Sequence, residues 1–346
     1  MTSARFLGRL AASIALLTLV ACSSERPEPQ SSGDDAAPAA QDEKLVIGVM
    51  PKLIGIDYFE ATRRGAEDAA KDLGVEVDFD GPVTNDVTLQ AQMLETWISK
   101  KYDAIAIAPN DPDAIAPVLE KARKRGIAVI TWDADAAKPA RDFFVNQAAN
   151  EAIAKTLLDL VANQVSPEAK YIILTGSLTA ANQNIWMDFI EQYRQEAYPN
   201  MVNLSETPKA TEEDQALATQ VTMDVIKTYP DLESLIAITS TGLPGAAEGL
   251  RKGERAEDIF LTGLATPKTM REYVKDDTVR EFALWNPEDL GYLSVYAAVE
   301  LLRGNLEQGD ETFEAGRIGE VQLRGDEILL GDPIIFDKDN IDEYDF

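Results

Sequence analysis

Lys52, Asn110, Asp133, Asn182, Gln183, Ser240, Thr241 and Trp285 fall at or shortly after the ends of short apolar runs that suit buried strands. In open α/β sheets, ligands sit beyond the carboxyl ends of the strands, so binding groups belong at these positions. Their types suit a hydroxyl-rich small molecule. Carboxylates and amides engage two adjacent hydroxyls at once, and an aromatic face covers C–H surface. Nucleophilic and metal chemistry fit poorly, because the 346-residue chain contains no His. That removes the base of Ser-His-Asp and Cys-His sites and the usual imidazole ligand of zinc. The sequence also has no Walker A motif, glycine-rich phosphate loop or metal-ligand cluster, so neither a cofactor nor a metal is expected.

Several of these residues carry two readings. Asp133 follows the apolar run 128–132, where its carboxylate can accept charge-assisted bonds from two hydroxyls or simply form a turn. Asp135 reads equally as a second acceptor and as a solvated loop residue. Lys52 closes the first strand and fits ligand contact or the solvated role usual for lysine. Asn182 opens a helix and satisfies the N-cap preference, whereas Gln183 has no capping role and points to ligand contact. Trp285 ends a strand, with Asn286 beside it, and suits either stacking on a ring or filling an interface between lobes. Trp97 and Trp186 lie at helical spacing among apolar residues and read as core.

The elements that must position these groups alternate. The apolar run 45–50 is followed by a helix with Phe59, Ala66, Ala69, Ala70 and Leu73 on one face, closed by Gly74. A strand at 75–79 precedes a helix with Leu89, Met93, Leu94, Trp97 and Ile98 along one side. Strand 104–108, helix 113–125 and strand 127–132 follow, which implies a parallel sheet with helices on both faces. The rhythm then restarts. Helices at 148–163, 182–197, 213–228, 243–252 and 267–275 alternate with strands at 171–175, 202–206, 235–239, 259–264 and 281–284. A last helix at 287–303 and strand-like segments at 320–323 and 327–330 complete the pattern. About three hundred residues exceed what one core usually holds, so the fold class is α/β with two doubly wound, Rossmann-like parallel-sheet lobes.

The opening residues belong to export. Arg5 and Arg9 precede an apolar run at 10–21 that is short for a bilayer span and matches the core of a secretory signal. It ends in Leu19-Val20-Ala21-Cys22, which resembles the box at which bacterial lipoproteins are cleaved and acylated. Cys22 is the single cysteine, so an internal disulfide is excluded. Residues 1–21 therefore read as a signal peptide and 22–43, rich in Ser, Glu, Pro, Gln, Gly, Asp and Ala, as a lipidated disordered tether. The net charge of -28 opposes nucleic acid and anionic lipid surfaces, leaving the lipid anchor as the membrane contact.

Several stretches carry a family resemblance: Pro51-Lys52-Leu53-Ile54-Gly55, Asp80-Gly81-Pro82, Thr131-Trp132-Asp133-Ala134-Asp135, Asn182-Gln183-Asn184-Ile185-Trp186, Ala283-Leu284-Trp285-Asn286-Pro287 and the closing Asn340-Ile341-Asp342-Glu343-Tyr344. In this order, from about Lys44 to the C-terminus, they resemble periplasmic sugar-binding proteins of ABC importers. The likeness is to the ribose-binding-like type I group and its rhamnose-binding and autoinducer-2-binding branch. It implies a type I periplasmic binding protein with a multi-stranded hinge, its first lobe formed by 44–143 plus 286–312 and its second by 144–285 plus 313–346. It also implies a monomer that closes on a small sugar-like ligand, is not an enzyme, and delivers to a permease and ATPase supplied in trans. Asp133 falls at the family's binding aspartate and Lys52 at the lysine used by autoinducer-2 receptors. Tyr58 and Phe59 match an aromatic pair lining the family's pocket, although Phe59 also fits its helix's apolar stripe. Autoinducer-2 receptors carry Asp, Pro and Ala where this chain has Asn182, Ile238 and Ser240. The resemblance therefore places a rhamnose-like deoxyhexose or another monosaccharide ahead of autoinducer-2. Three other roles for the chain are considered: a transcription regulator, which would need a basic helix-turn-helix ahead of the fold, a two-carboxylate glycosidase, and a receptor serving a sensory partner.

Overall fold

The structure is a computed structural model that describes residues 44–346. The signal, the tether and Cys22 lie outside the described residues.

The first lobe is built from β1 (Val46–Met50), α1 (Asp57–Leu73), β2 (Glu76–Phe79), α2 (Val87–Lys100), β3 (Ala104–Ile107), α3 (Pro112–Lys124), β4 (Ala128–Trp132) and β5 (Phe143–Asn146). All four residues of β3 and four of the five in β1 are buried, as parallel strands covered on both faces must be. Local signals fix the helix ends. Asp86 and Asp111 cap α2 and α3 with their carboxylates, Pro112 occupies the first turn of α3, and Gly74 ends α1 at φ 70°.

The second lobe begins with α4 (Asn150–Gln164), β6 (Lys170–Thr175), α5 (Ala181–Ala197), β7 (Val202–Asn203), β8 (Lys209–Ala210) and α6 (Gln215–Thr228). It continues with β9 (Ser234–Ala237), α7 (Gly242–Lys252), β10 (Phe260–Gly263), α8 (Pro267–Lys275) and β11 (Phe282–Leu284). Its sheet runs β10-β9-β6-β7, with β8 also paired to β6, and every pairing is parallel. Of the strand expected at 202–206 only Val202–Asn203 forms, as β7; β8 lies beyond that span, and the two pair with opposite ends of β6.

Helix α9 (Pro287–Arg303) returns to the first lobe and packs along α1, β3 and β4. The two helices approach so closely that a Cβ on Gly65 would lie 1.7 Å from the Glu288 carbonyl oxygen. A Cβ on Gly291 would lie 1.9 Å from that of Thr62.

The tail departs from expectation. β12 (Thr312–Glu314), β13 (Glu320–Arg324) and β14 (Glu327–Leu329) form an antiparallel meander, and β14 pairs in parallel with β5. The first-lobe sheet is therefore eight-stranded, ordered β12-β13-β14-β5-β4-β3-β1-β2. Residues 313–330, assigned from sequence to the second lobe, belong to the first, and so does β5, which begins at the proposed lobe boundary. The reason is edge satisfaction: β5 offers an unpaired edge that β14 fills, burying Ile328 and Val321. Only the end of the chain returns to the second lobe, where β15 (Ile334–Phe336) pairs antiparallel with β11. The chain thus crosses between lobes three times, from β5 to α4, from β11 to α9 and from β14 to β15.

Candidate functional site

The carboxyl ends of the strands in both sheets face one cleft, and one cavity there is lined by residues of both lobes. Its free interior is small, about 40 Å³, and is bordered by Lys52, Ile56, Tyr58, Phe59 and Asp133 from the first lobe and by Asn182, Gln183, Trp186, Glu213, Ile238, Thr239, Ser240, Leu264, Leu284 and Trp285 from the second.

A polar chain crosses the cleft. The Trp285 indole N–H donates to Tyr58 Oη at 2.9 Å, and that hydroxyl donates to Asp133 Oδ1 at 2.7 Å. Asp133 Oδ2 lies 3.3 Å from Lys52 Nζ and accepts from Asn182 Nδ2 at 3.4 Å, while Lys52 Nζ donates to Asn182 Oδ1 at 2.9 Å. Lys52, Asp133 and Asn182 are each no more than 6 % exposed, so the charges are withheld from water and must be satisfied by one another or by a guest. Burial raises the Tyr58 phenol pKa well above its ordinary value, and the adjoining Asp133 charge and hydrogen bond raise it further. Tyr58 therefore stays a neutral donor. Asp133 itself sits at φ 62°, and the Ala134 N–H closes a tight turn onto the Trp132 carbonyl at 2.6 Å. Backbone strain of this kind is concentrated at functional sites, where it aims a side chain that relaxed geometry would turn away.

The second-lobe floor is a separate network. Gln183 Oε1 accepts from Thr175 Oγ1 at 2.6 Å and from the Gly176 N–H at 2.7 Å, and its amide donates to Glu213 Oε1 at 3.0 Å. Glu213 Oε2 takes hydrogen bonds from Thr239 and, at 3.3 Å, from Thr241. Aromatic rings close the sides. Trp285 packs edge-on to Tyr58 with centroids 6.2 Å apart and lies tilted against Trp186 at 5.8 Å. Phe59 meets Tyr58 at 5.0 Å and Trp132 at 5.8 Å.

Lys52, Tyr58, Phe59, Asp133, Asn182, Gln183, Ser240 and Trp285 thus converge on one cavity. Four other candidates do not reach its lining. Asp135 is held by Arg141 at 2.7 and 2.8 Å and by Thr131 at 2.6 Å, so its acceptors are spent on a salt bridge. Asn286 caps α9, accepting from the Glu288 N–H at 2.9 Å. Asn110 bonds the Lys52 carbonyl at 2.9 Å and so braces the β1 terminus rather than the guest space. Thr241 faces a neighbouring cavity with Asp57, Gln215, Thr266 and Thr269, touching this one through Glu213. The reading of Trp186 as core needs amendment, because its ring lines the cavity while its N–H donates to Asn150 at 3.0 Å. Trp97 is core, stacked on Tyr102. Glu213 escaped sequence reading because it precedes a helix, within an acidic run whose next residue, Asp214, is the true N-cap.

Two doubly wound lobes, three crossings and a polar site between them define a hinged solute-binding clamp. A family model for the periplasmic binding protein domain matches residues 47–306, and the chain belongs to that family. The ribose import binding protein of Bacillus subtilis is 24% identical over 298 residues, covering 84% of this chain and 91% of that one. A sugar ABC transporter protein from Actinomyces odontolyticus is 34% identical at a TM-score of 0.71, covering 87% of this chain and 98% of its own. A solute-binding protein from Clostridium phytofermentas, solved with bound L-rhamnose, is 28% identical, with a TM-score of 0.83 and coverage of 87% and 98%. The LsrB protein of Clostridium saccharobutylicum, solved with AI-2, is 25% identical, also at 0.83, with coverage of 87% and 100%. These relatives are binding proteins of transport systems, not enzymes. Among the described residues no helix is long and apolar enough to cross a membrane.

Proposed function

We propose that this chain is the substrate-binding lipoprotein of an ABC importer, exported, anchored at Cys22, and specific for a small sugar of the rhamnose-like deoxyhexose kind. The observation that carries the reading is the meeting of Lys52 and Asp133 with Asn182 from the opposite lobe, beside Trp285 and Trp186. Sugar hydroxyls are suited to enter this hydrogen-bond chain, exchanging lobe-to-lobe contacts for lobe-to-ligand ones. The aliphatic part of the lining, Ile56, Ile238, Leu264 and Leu284, suits a methyl group where an ordinary hexose carries CH₂OH. One lobe captures the ligand and the other rotates onto it about the three crossings, a closure stabilised by contacts the open form cannot make. The closed monomer then presents both lobes to a permease, whose separate ATPase supplies energy.

Titration calorimetry, with intrinsic fluorescence and thermal shift alongside, tests this across L-rhamnose, D-fucose, D-ribose, D-xylose, D-allose and AI-2. Saturable binding of L-rhamnose or another deoxyhexose, tighter than the pentoses, is expected; silence towards every sugar removes the reading. A second reading, an AI-2 receptor, is favoured by the buried Lys52 at the position those receptors use. It is opposed by Asn182, which stands where they carry a carboxylate, and binding of AI-2 alone would select it.

A further inference from the structure

We infer that Glu213 is the specificity-determining charge of this site, selecting uncharged or amine-bearing sugars and rejecting phosphorylated sugars and sugar acids; this rests on the sugar-binding reading above. The cavity holds two carboxylates, Asp133 and Glu213, one from each lobe, against a single ammonium. Lys52 pairs with Asp133 at 3.3 Å. Among the described residues, Glu213 is bonded only by Gln183, Thr239 and Thr241, with no cation in ion-pair range. The cavity therefore carries one uncompensated negative charge.

The local fold shows that this carboxylate is positioned at some cost. Glu212 and Glu213 adopt φ of 50° and 54°, consecutive non-glycine residues in the left-handed region. Helix capping does not explain the strain, because Asp214 performs it. Opposite, Gly176 leaves room that no other residue would, since a Cβ there would sit 1.9 Å from Glu213 Oε1. An ionised carboxylate has about four acceptor directions, and three on Glu213 are taken. Three on Asp133 are taken as well. Each carboxylate thus keeps one acceptor direction for a guest, and a ligand that donates a hydroxyl or ammonium proton to each lobe satisfies both. A guest bringing its own anion meets the half-buried Glu213 at close range, where like charges repel.

Isothermal titration of the wild type, E213Q, E213D and E213A tests this with two probe sets: D-fucose with D-galacturonate and D-galactosamine, and D-ribose with D-ribose 5-phosphate. The wild type is expected to favour each neutral sugar it binds over the anionic counterpart by about tenfold or more. E213Q narrows that ratio by a similar factor, while E213D keeps it despite weaker binding overall. A Glu213 that merely positions Gln183 would lower all affinities alike and leave the ratio fixed. Melting temperatures report whether each variant is folded, and E213A, read by the same ratio, decides the case in which E213Q is not. A wild type that binds no neutral sugar overturns the receptor reading and this inference together. A wild type that binds a neutral sugar and its anionic counterpart equally overturns this inference alone, as does an unchanged ratio in the folded neutral variant.

Discussion

Lys52 Nζ donates to Asn182 Oδ1 at 2.9 Å although 130 positions and a change of lobe separate them. The same ammonium lies 3.3 Å from Asp133, so one buried cation joins a first-lobe carboxylate to a second-lobe amide. Lys52 is therefore the buried cation that ties the two lobes together within the cleft.

Replacing Lys52 with Met keeps much of the side-chain volume and removes the charge. Asp133 is then buried with only neutral donors, and truncating one partner of a desolvated ion pair costs about 2–5 kcal/mol. Calorimetry should show affinity for the cognate sugar lowered by about a hundredfold or more, with a lower melting temperature in the absence of ligand. A K52M protein that binds as tightly as the wild type would make this lysine a bystander.

Tyr58→Phe deletes the hydroxyl linking Trp285 to Asp133 and keeps the ring that packs on Phe59 and Trp285. Losing a buried hydrogen bond while stranding its partners costs about 1–3 kcal/mol, so Kd should rise by about five- to a hundredfold. The fluorescence change on ligand addition should shrink as well, since Trp285 and Trp186 line the cavity whereas Trp97 and Trp132 are buried elsewhere. An unaltered Kd and emission change would show that Tyr58 is only packing.

Much of the site was legible because strand ends are legible. An apolar run followed by Lys52 or Asp133 marks the carboxyl edge of a parallel strand, and that edge is where both lobes open. Side-chain direction was not legible. Asp135 is two residues beyond Asp133, yet its acceptors turn to Arg141, a partner six positions on that no periodicity announces. Arg141 also meets Asp326 at 2.9 Å, tying the tail meander to the first lobe. That tail was misassigned for a related reason: alternation of apolar and polar residues specifies a strand, but not which open edge it completes. Glu213 was missed because its placement depends on two left-handed residues and on the space opposite Gly176, features of three dimensions alone.

Gly291→Ala tests how the first lobe is held together. The added Cβ would meet the Thr62 backbone, which no rotamer change can relieve, so α1 and α9 must move apart. Overpacking of this kind costs about 1–3 kcal/mol or more, and chemical denaturation should register a loss of that order. Equal stability of G291A and wild type would mean the helix contact is more compliant than its geometry implies.

Stability against pH should be asymmetric. Between roughly pH 6 and 8 it should be nearly flat, because the chain lacks His, the side chain that ordinarily titrates there. The acid limb is set by carboxyls whose folded pKa is depressed. Glu191 is held to about 2, from 4.5, chiefly by its hydrogen bond from Arg194. Burial pushes Asp326 upward, but the hydrogen bond from Lys138 and the charge of Arg141 outweigh it and leave the group below its ordinary value. Asp159 is lowered in the same way, with bonds from Lys155, Tyr198 and Tyr193 overcoming burial. Such groups bind fewer protons folded than unfolded, so their stabilisation is complete above the unfolded value and is lost as pH falls through the folded one. For Glu191 that window runs from 4.5 down to about 2. Acidification from neutrality first relieves the self-repulsion of a chain carrying -28, which acts in the opposite direction. Calorimetric melting temperatures should therefore hold or rise slightly from neutral pH towards pH 5 and then fall steeply below 4.5. A melting temperature already declining between roughly pH 8 and 6 would contradict this account, since no side chain of ordinary pKa is present to produce it.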